Sequence, residues 1–197
     1  MDSFVSLNKS FEQWLAKHMP YVVRADIATK HRNMHDDEFL FMRATFFAWT
    51  RRFQEHFPDL FQKMEVVLST GDLHPGNYGT WLDQRGRLAW GINDVDEAHF
   101  LPYIFDLVRL ATGTKLAITQ NKLSIKPFDA YEAIIEGYAK MLKLGGRGFV
   151  LEEDHLKLGL MARHKLKDRC LFWQKLDRDV TPCSTKKWLD GFNVLIS

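Results

Sequence analysis

Two short stretches constrain this chain more than anything else in it. They are Thr70-Gly71-Asp72-Leu73-His74-Pro75-Gly76-Asn77 and, after a short gap, Ile92-Asn93-Asp94-Val95-Asp96-Glu97-Ala98. Glu65 to Ser69, just ahead of the first, is a brief apolar run of strand type. The first stretch therefore begins where a strand ends and the backbone turns, which puts Asp72 on a loop. Between the two stretches, Tyr78 to Leu82 and Leu88 to Ile92 flank Asp83-Gln84-Arg85-Gly86, a turn-rich tetrad that folds them into a hairpin. Such a hairpin returns Asp94 to the neighbourhood of Asn77. The predicted fold is α+β, mainly α, with one small sheet built from 65–69, 78–82 and 88–92.

An Asp, then an Asn, then a hairpin, then another Asp resembles the order used by protein-kinase-like phosphotransferases. The residue types suit that chemistry. A transferring phosphoryl group is multiply negative, and the metal that neutralises it is a hard cation that prefers carboxylate and amide oxygens. The bland alternative is that Pro75-Gly76 is a turn with polar neighbours.

The combination GDLHPGN, then INDVDEAHFLPYIFDLVRLATG, resembles the uncharacterised bacterial family known as domain of unknown function 2252, a relative of the aminoglycoside-phosphotransferase branch of the kinase-like fold. Lys30-His31-Arg32-Asn33-Met34 and Phe39-Leu40-Phe41-Met42-Arg43-Ala44 resemble its opening segment, and the likeness runs from about Lys30 to Gly113. The resemblance implies the catalytic (C-terminal) lobe of the kinase-like fold. It also implies Asp72 as the catalytic residue, and Asn77 and Asp94 as the residues that hold Mg²⁺ and, through it, ATP. Asp106 matches the buried Asp that braces the catalytic loop, and Arg43 belongs to the opening segment with no role assigned. His74 is expected to support the loop rather than act as base or ligand.

Two departures from the kinase pattern stand out. Thr70-Gly71 occupies the place where a His often precedes the catalytic Asp, and no Phe-Gly follows Asp94. Asp94 and Asp96 are therefore rival metal ligands, because two residues along an extended chain face the same side.

The rest of the chain reads as helices. Leu7, Phe11, Trp14, Leu15 and His18 have helical spacing up to Pro20. His31, His35, Asp36 and Asp37 fall in a polar connector, with Asp36 or Asp37 as a helix cap in preference to a metal site. Phe39, Met42, Phe46, Trp49 and Phe53 mark one continuous core helix ending before Pro58, with Arg51 and Arg52 on its outer side. Pro102 suits the first turn of a helix running to about Ile118, with Ile104, Leu107, Val108 and Ala111 inward. Asp106 on that helix either accepts from loop amides or makes a surface ion pair with Arg109. Phe128, Tyr131, Ile135, Tyr138 and Leu142 form a further stripe closed by Gly145-Gly146, and Gly145-Gly146-Arg147-Gly148 is a linker because it follows a helix rather than a strand. Leu151 to Leu176 is a charged helical stretch.

With 46% hydrophobic and 26% charged residues, the composition is ordinary for a globular domain, and a net charge of +2 is too slight to argue for a nucleic-acid or membrane partner. Two well-separated cysteines, Cys170 and Cys183, suggest reduced thiols and a cytoplasmic protein. No signal sequence or membrane-spanning run is present in the sequence given.

A single domain over 1–197 is expected: a docking segment at 1–35, a motif-bearing core at 36–144 and a helical extension at 145–197. The extension ends on Trp188, Phe192, Val194, Leu195 and Ile196, as a truncated chain or a docking tail does. The residues before Asp72 read as helical, where a kinase places its nucleotide-gripping strands, so a missing lobe or a partner chain is expected to supply that part. The functional expectation is an Mg-ATP-dependent phosphotransferase, or its catalytic half, acting on a small-molecule hydroxyl. Its rivals are a non-catalytic binding or regulatory module of the same fold and a metallophosphoesterase. For the last, Gly71-Asp72-Leu73-His74 is suggestive, but the partner motifs are missing.

Overall fold

The computed structural model describes residues 3–166 and Gln174. Cys170, Cys183 and the apolar run from Trp188 to Ile196 lie outside the described residues. The order of elements is α1 (Phe4–His18), α2 (Arg24–Asp36), α3 (Glu38–Ala44), α4 (Phe46–His56), α5 (Pro58–Lys63), β1 (Val66–Ser69), a 3-10 turn (Pro75–Asn77), β2 (Tyr78–Leu82), β3 (Leu88–Ile92), β4 (His99–Pro102), α6 (Ile104–Gln120), α7 (Pro127–Lys143), β5 (Phe149–Val150), α8 (Leu151–Asp154) and α9 (Leu156–Leu166). The class is α+β and mainly helical, with small sheets. No helix among the described residues is long and apolar enough to cross a membrane.

The chain divides into two compact units, one of residues 3–81 with 89–149, the other of 82–88 with the described residues from 150 onward. In the first unit the core gathers around Phe53, Leu101 and Phe105, with Phe46, Trp49, Phe61, Ile104 and Val108 packed on it. Phe105 is fully enclosed. Its ring meets those of Phe46, Trp49 and Phe53 edge-on, at centroid separations of 5.9, 6.2 and 5.2 Å. Aromatic pairs prefer that arrangement because the positive ring edge meets the negative face. In the second unit the hairpin turn is tied by Asp83, which accepts from the Arg85 and Arg87 amides at 2.9 Å each. Arg87 in turn bonds Asp83 and Glu153, and Glu152 accepts from the Leu88 amide.

The caps explain several helix ends. Asp37 Oδ1 accepts from the Leu40 amide at 2.7 Å and starts α3 by satisfying one of the helix's unpaired N–H groups. Gly145 and Gly146, both at positive φ, close α7 by donating to the Leu142 and Met141 carbonyls, the paired pattern that glycine allows at a helix end.

Five expectations need correction. The single sheet is in fact two. β1 pairs antiparallel with β4, Val66 opposite Pro102 and Ser69 opposite His99, while β2, β3 and β5 form a sheet in the order β2-β3-β5. Pro102 accordingly ends a strand, and the helix begins at Ile104. The polar connector is the helix α2, whose His31 Nε2 meets Glu12 Oε1 at 2.6 Å. The continuous helix over 39–53 breaks at Thr45, with φ −114 and ψ 25. Two bonds replace the regular ladder there. The Thr45 hydroxyl donates back to the Phe41 carbonyl at 2.7 Å, and the Met42 carbonyl, which a continuous helix would pair with the Phe46 amide, accepts instead from Arg109. Leu151 to Leu176 likewise is not one helix, since α8 and α9 are separated at His155.

Candidate functional site

β1 ends at Ser69, and the chain then turns sharply at Gly71, φ +93. That φ favours glycine, and a Cβ there would run into the Glu97 carbonyl oxygen. The same contact brings the loop after β3 against the loop after β1. Asp106, on the first turn of α6, fixes this corner. Its carboxylate accepts from the Ser69 hydroxyl at 2.6 Å, the Thr70 amide at 2.7 Å and the Gly71 amide at 3.1 Å. Of the two readings left open for Asp106, loop bracing is what the structure shows; Arg109 is occupied elsewhere.

Arg109 is completely buried. Its Nε donates to Asp72 Oδ1 at 3.0 Å, and its Nη2 donates to the same oxygen and to the Met42 carbonyl. The guanidinium also lies over the rings of Trp49 and Phe46, 5.1 and 5.6 Å from their centroids. Arg109 thus presents Asp72 with Oδ1 engaged and Oδ2 directed elsewhere. Around Oδ2 stand Arg43 Nε at 3.7 Å and His74 Nε2 at 3.8 Å.

The Pro75–Asn77 turn is closed from both sides. The His74 amide donates to Asn77 Oδ1 at 2.7 Å, and the Gly76 amide donates to His74 Nδ1 at 3.1 Å. His74 Nδ1 is thereby an acceptor, so the ring proton sits on Nε2, a buried atom with no hydrogen-bond partner. Burial, reinforced by Arg43, pushes the His74 pKa below its ordinary value and keeps the ring neutral. Gly113 of α6 lets the helix approach the turn: a Cβ there would stand about 3.1 Å from His74 Cβ and 3.3 Å from Pro75 Cδ.

The hairpin returns as its turn residues demand. The Asn93 amide donates to the Asn77 carbonyl at 3.0 Å, and the Asn93 side chain packs on Gly79, where a Cβ would displace its amide. Asp72, Asn77, Asp94 and Asp96 consequently line one cavity of about 360 Å³, together with Glu97 and, from α2 and α3, Lys30, Asn33 and Arg43. Partial desolvation, then the neighbouring Asp96, Asp72 and Asp94, raises the pKa of Glu97 above that of a free carboxyl even though its side chain is exposed. Among the described residues no group of three or more His, Cys, Asp or Glu is arranged to hold a metal ion by itself.

Two participants escaped sequence reasoning. Glu97 stands in the second motif stretch, where the motif order attaches no role to it. Arg109 carried a signal that could have found it. Phe105, Arg109 and Gly113 follow one another at helical spacing and all are buried, so the inward side of α6 takes in these residues and Leu110 as well as Ile104 and Val108, which pack on the core as expected. An arginine in the middle of a buried stripe needs a carboxylate, and the loop Asp is the one at hand.

Fold and site together define a mainly helical α+β domain in which a strand-end Asp, a turn Asn and a post-hairpin Asp share one polar cavity. The chain belongs to the bacterial family described as "Uncharacterized protein conserved in bacteria (DUF2252)", whose model matches residues 23–166, beyond both limits of the likeness visible by eye. Neither the curated proteins nor the solved structures compared with it contain a match.

Proposed function

We propose that this domain is a phosphotransferase, or the catalytic half of one, that moves a phosphoryl group from Mg-ATP to a hydroxyl on a small molecule, on a kinase-like framework. The observation that carries this reading is the return of Asp94 by the hairpin to the cavity that already holds Asp72 and Asn77. The cavity wall is chemically divided in a way that suits a metal-bound phosphate. Asp94, Asp96 and Glu97 form an acidic side, while Arg43 and Lys30 stand on the helical side.

The donor set fits Mg²⁺, which takes carboxylate and amide oxygens and completes its shell with water and phosphate oxygens rather than with a full protein cage. Asp94, with Asp96 or Asn77, would hold it, and the ion would neutralise charge on the phosphates. Asn77 Oδ1 already accepts one amide bond, so one lone pair remains for a ligand. Asp72 Oδ2, left free by Arg109, is the oxygen to which an acceptor hydroxyl would donate. As the hydroxyl oxygen bonds to phosphorus, its proton passes to Oδ2. The bond to the leaving diphosphate breaks, and the electron pair stays on the diphosphate oxygen.

One observation favours a second reading, a non-catalytic binding or regulatory module. The ion pair with a fully buried arginine gives Asp72 a structural use that needs no substrate.

Two substitutions separate these readings. Asp72→Ala would strip Arg109 of its counter-charge and unsettle the fold, so Asp72→Asn, which keeps an oxygen for Arg109, is the better probe. With Mg-ATP in titration calorimetry, Asp72→Asn should bind within about twofold of the parent and transfer nothing, whereas Asp94→Ala should lose the metal-dependent part of the heat. Heats indistinguishable between the parent and Asp94→Ala would leave the module reading standing.

A further inference from the structure

We infer that Arg43 is an oxyanion clamp: its guanidinium, in the cavity that Asn33 also lines, forms a subsite for a phosphoryl group. The inference rests on the phosphotransferase reading for its ligand class, and on the following geometry for its place.

Three donor side chains face the cavity from the helical side, Lys30 and Asn33 at helical spacing on α2, and Arg43 at the end of α3. Lys30 is already committed. Its Nζ reaches Asn8 Oδ1 at 3.3 Å and Glu12 Oε1 at 3.7 Å, and it lies 4.9 Å from the centre of the Phe11 ring. Burial also pulls the Lys30 pKa down, so this cation is the poorer anion holder of the two. Arg43 differs on each count. Its side chain is 42% exposed, and its one ion pair among the described residues runs through Nε, at 3.7 Å from Asp72 Oδ2, too long for a hydrogen bond. Both terminal nitrogens, the pair that engages phosphate side by side, have no partner among the described residues.

Charge balance points the same way. Asp72 already has its counter-ion in Arg109, which holds Oδ1 by two bonds. Arg43 is therefore a second positive charge beside a carboxylate that is already matched, and this side of the cavity carries a cationic excess. Across from it stand Asp94, Asp96 and Glu97 with the opposite excess. An arginine needed only to neutralise Asp72 would be redundant; one needed to hold an anion in line with Asp72 would stand where Arg43 does. The two sources of such an anion are the nucleotide's terminal phosphate and a phosphate or carboxylate on the acceptor.

The test uses the whole chain with three probes, inorganic triphosphate, inorganic phosphate and acetate, titrated without metal and followed by calorimetry. Triphosphate stands in for the nucleotide tail, and the other two for acceptor groups. The parent should bind at least one of them. Arg43→Gln should weaken that binding about tenfold or more, and Arg43→Lys, which keeps the charge and loses the fork, should recover only part of it. Preference for triphosphate assigns the clamp to the nucleotide, and preference for phosphate or acetate assigns it to the acceptor. Binding unchanged in Arg43→Gln, or no binding by the parent, would overturn the inference. The parent reading fails separately, through Asp94→Ala with Mg-ATP, because the metal-dependent heat does not run through Arg43.

Discussion

Replacing Arg109 by Met would keep most of the buried stem and remove the guanidinium, leaving Asp72 Oδ1 without its donor and the Met42 carbonyl with only the Thr45 amide and hydroxyl. Breaking a buried ion pair by deleting one partner costs about 3–5 kcal/mol, because the remaining charge stays desolvated. Asp72 is itself only 15% exposed. Urea unfolding of Arg109→Met should therefore lose about that much stability. Arg109→Lys should recover little, since one ammonium cannot serve Asp72 and the Met42 carbonyl with the same geometry. A loss below about 1 kcal/mol would mean that the pair is not structural. Asp72→Asn combined with Arg109→Met should cost less than the sum of the two, the signature of direct coupling. Arg109 thus links a motif residue to the break between α3 and α4, and one side chain both shapes the helix pair and aims the carboxylate.

Among the elements, the turn at Gly71 and the turn at Gly86 make a controlled comparison. Both glycines have positive φ, but a Cβ on Gly86 meets open space, whereas one on Gly71 meets the Glu97 carbonyl. Gly86→Ala should lose about 1 kcal/mol from backbone strain alone. Gly71→Ala should lose clearly more, because the loop carrying Asp94 to Glu97 must also move away, and it should weaken cation binding while Gly86→Ala leaves it unchanged. Equal losses in thermal unfolding would show that the two loops are not held in contact. The sequence made some of these elements readable and hid others. The hairpin was legible because Asp83 to Gly86 is local turn chemistry, and α7 because its stripe ends in two glycines. β4 was not, since four residues ending in proline carry almost no periodic signal and its partner β1 comes before the 3-10 turn and the whole β2–β3 hairpin. The break at Thr45 was hidden for a different reason: the competing donor, Arg109, comes from the far side of the sequence. The burial of Arg109 on α6 was hidden because an arginine counts as polar in any hydrophobic pattern. Asp72, Asn77, Asp94, Asp96 and Arg43 could be named from motif order, while the cavity that collects them needed α2, α3 and the Gly71 contact as well.

At the scale of the molecule, the cavity is assembled from α2, α3, the corner after β1, the 3-10 turn and the loop after β3, with α3 and the 3-10 turn packed on α6 and the corner held by its Asp106. Its two sides have opposite charge excess, and they are close enough to share one cavity of about 360 Å³. A cation on the acidic side screens its carboxylates from an incoming oxyanion, and an oxyanion at Arg43 supplies oxygens that a magnesium ion can take into its shell. The two ligands should therefore bind cooperatively, and linkage requires the coupling to be reciprocal. Triphosphate affinity should rise in the presence of Mg²⁺ by about 5–150-fold, the range of a coupling of 1–3 kcal/mol, and Mg²⁺ affinity should rise by the same factor in the presence of triphosphate, after correction for their association in solution. Asp94→Ala should abolish the coupling from the acidic side, and Arg43→Gln from the cationic side. Because both variants act on one thermodynamic cycle, the double variant should show no more loss of coupling than either single one. Independent binding of metal and triphosphate to the parent chain, with affinities that ignore each other, would mean that the two charged sides do not form one site, and the phosphotransferase reading would fall with that result.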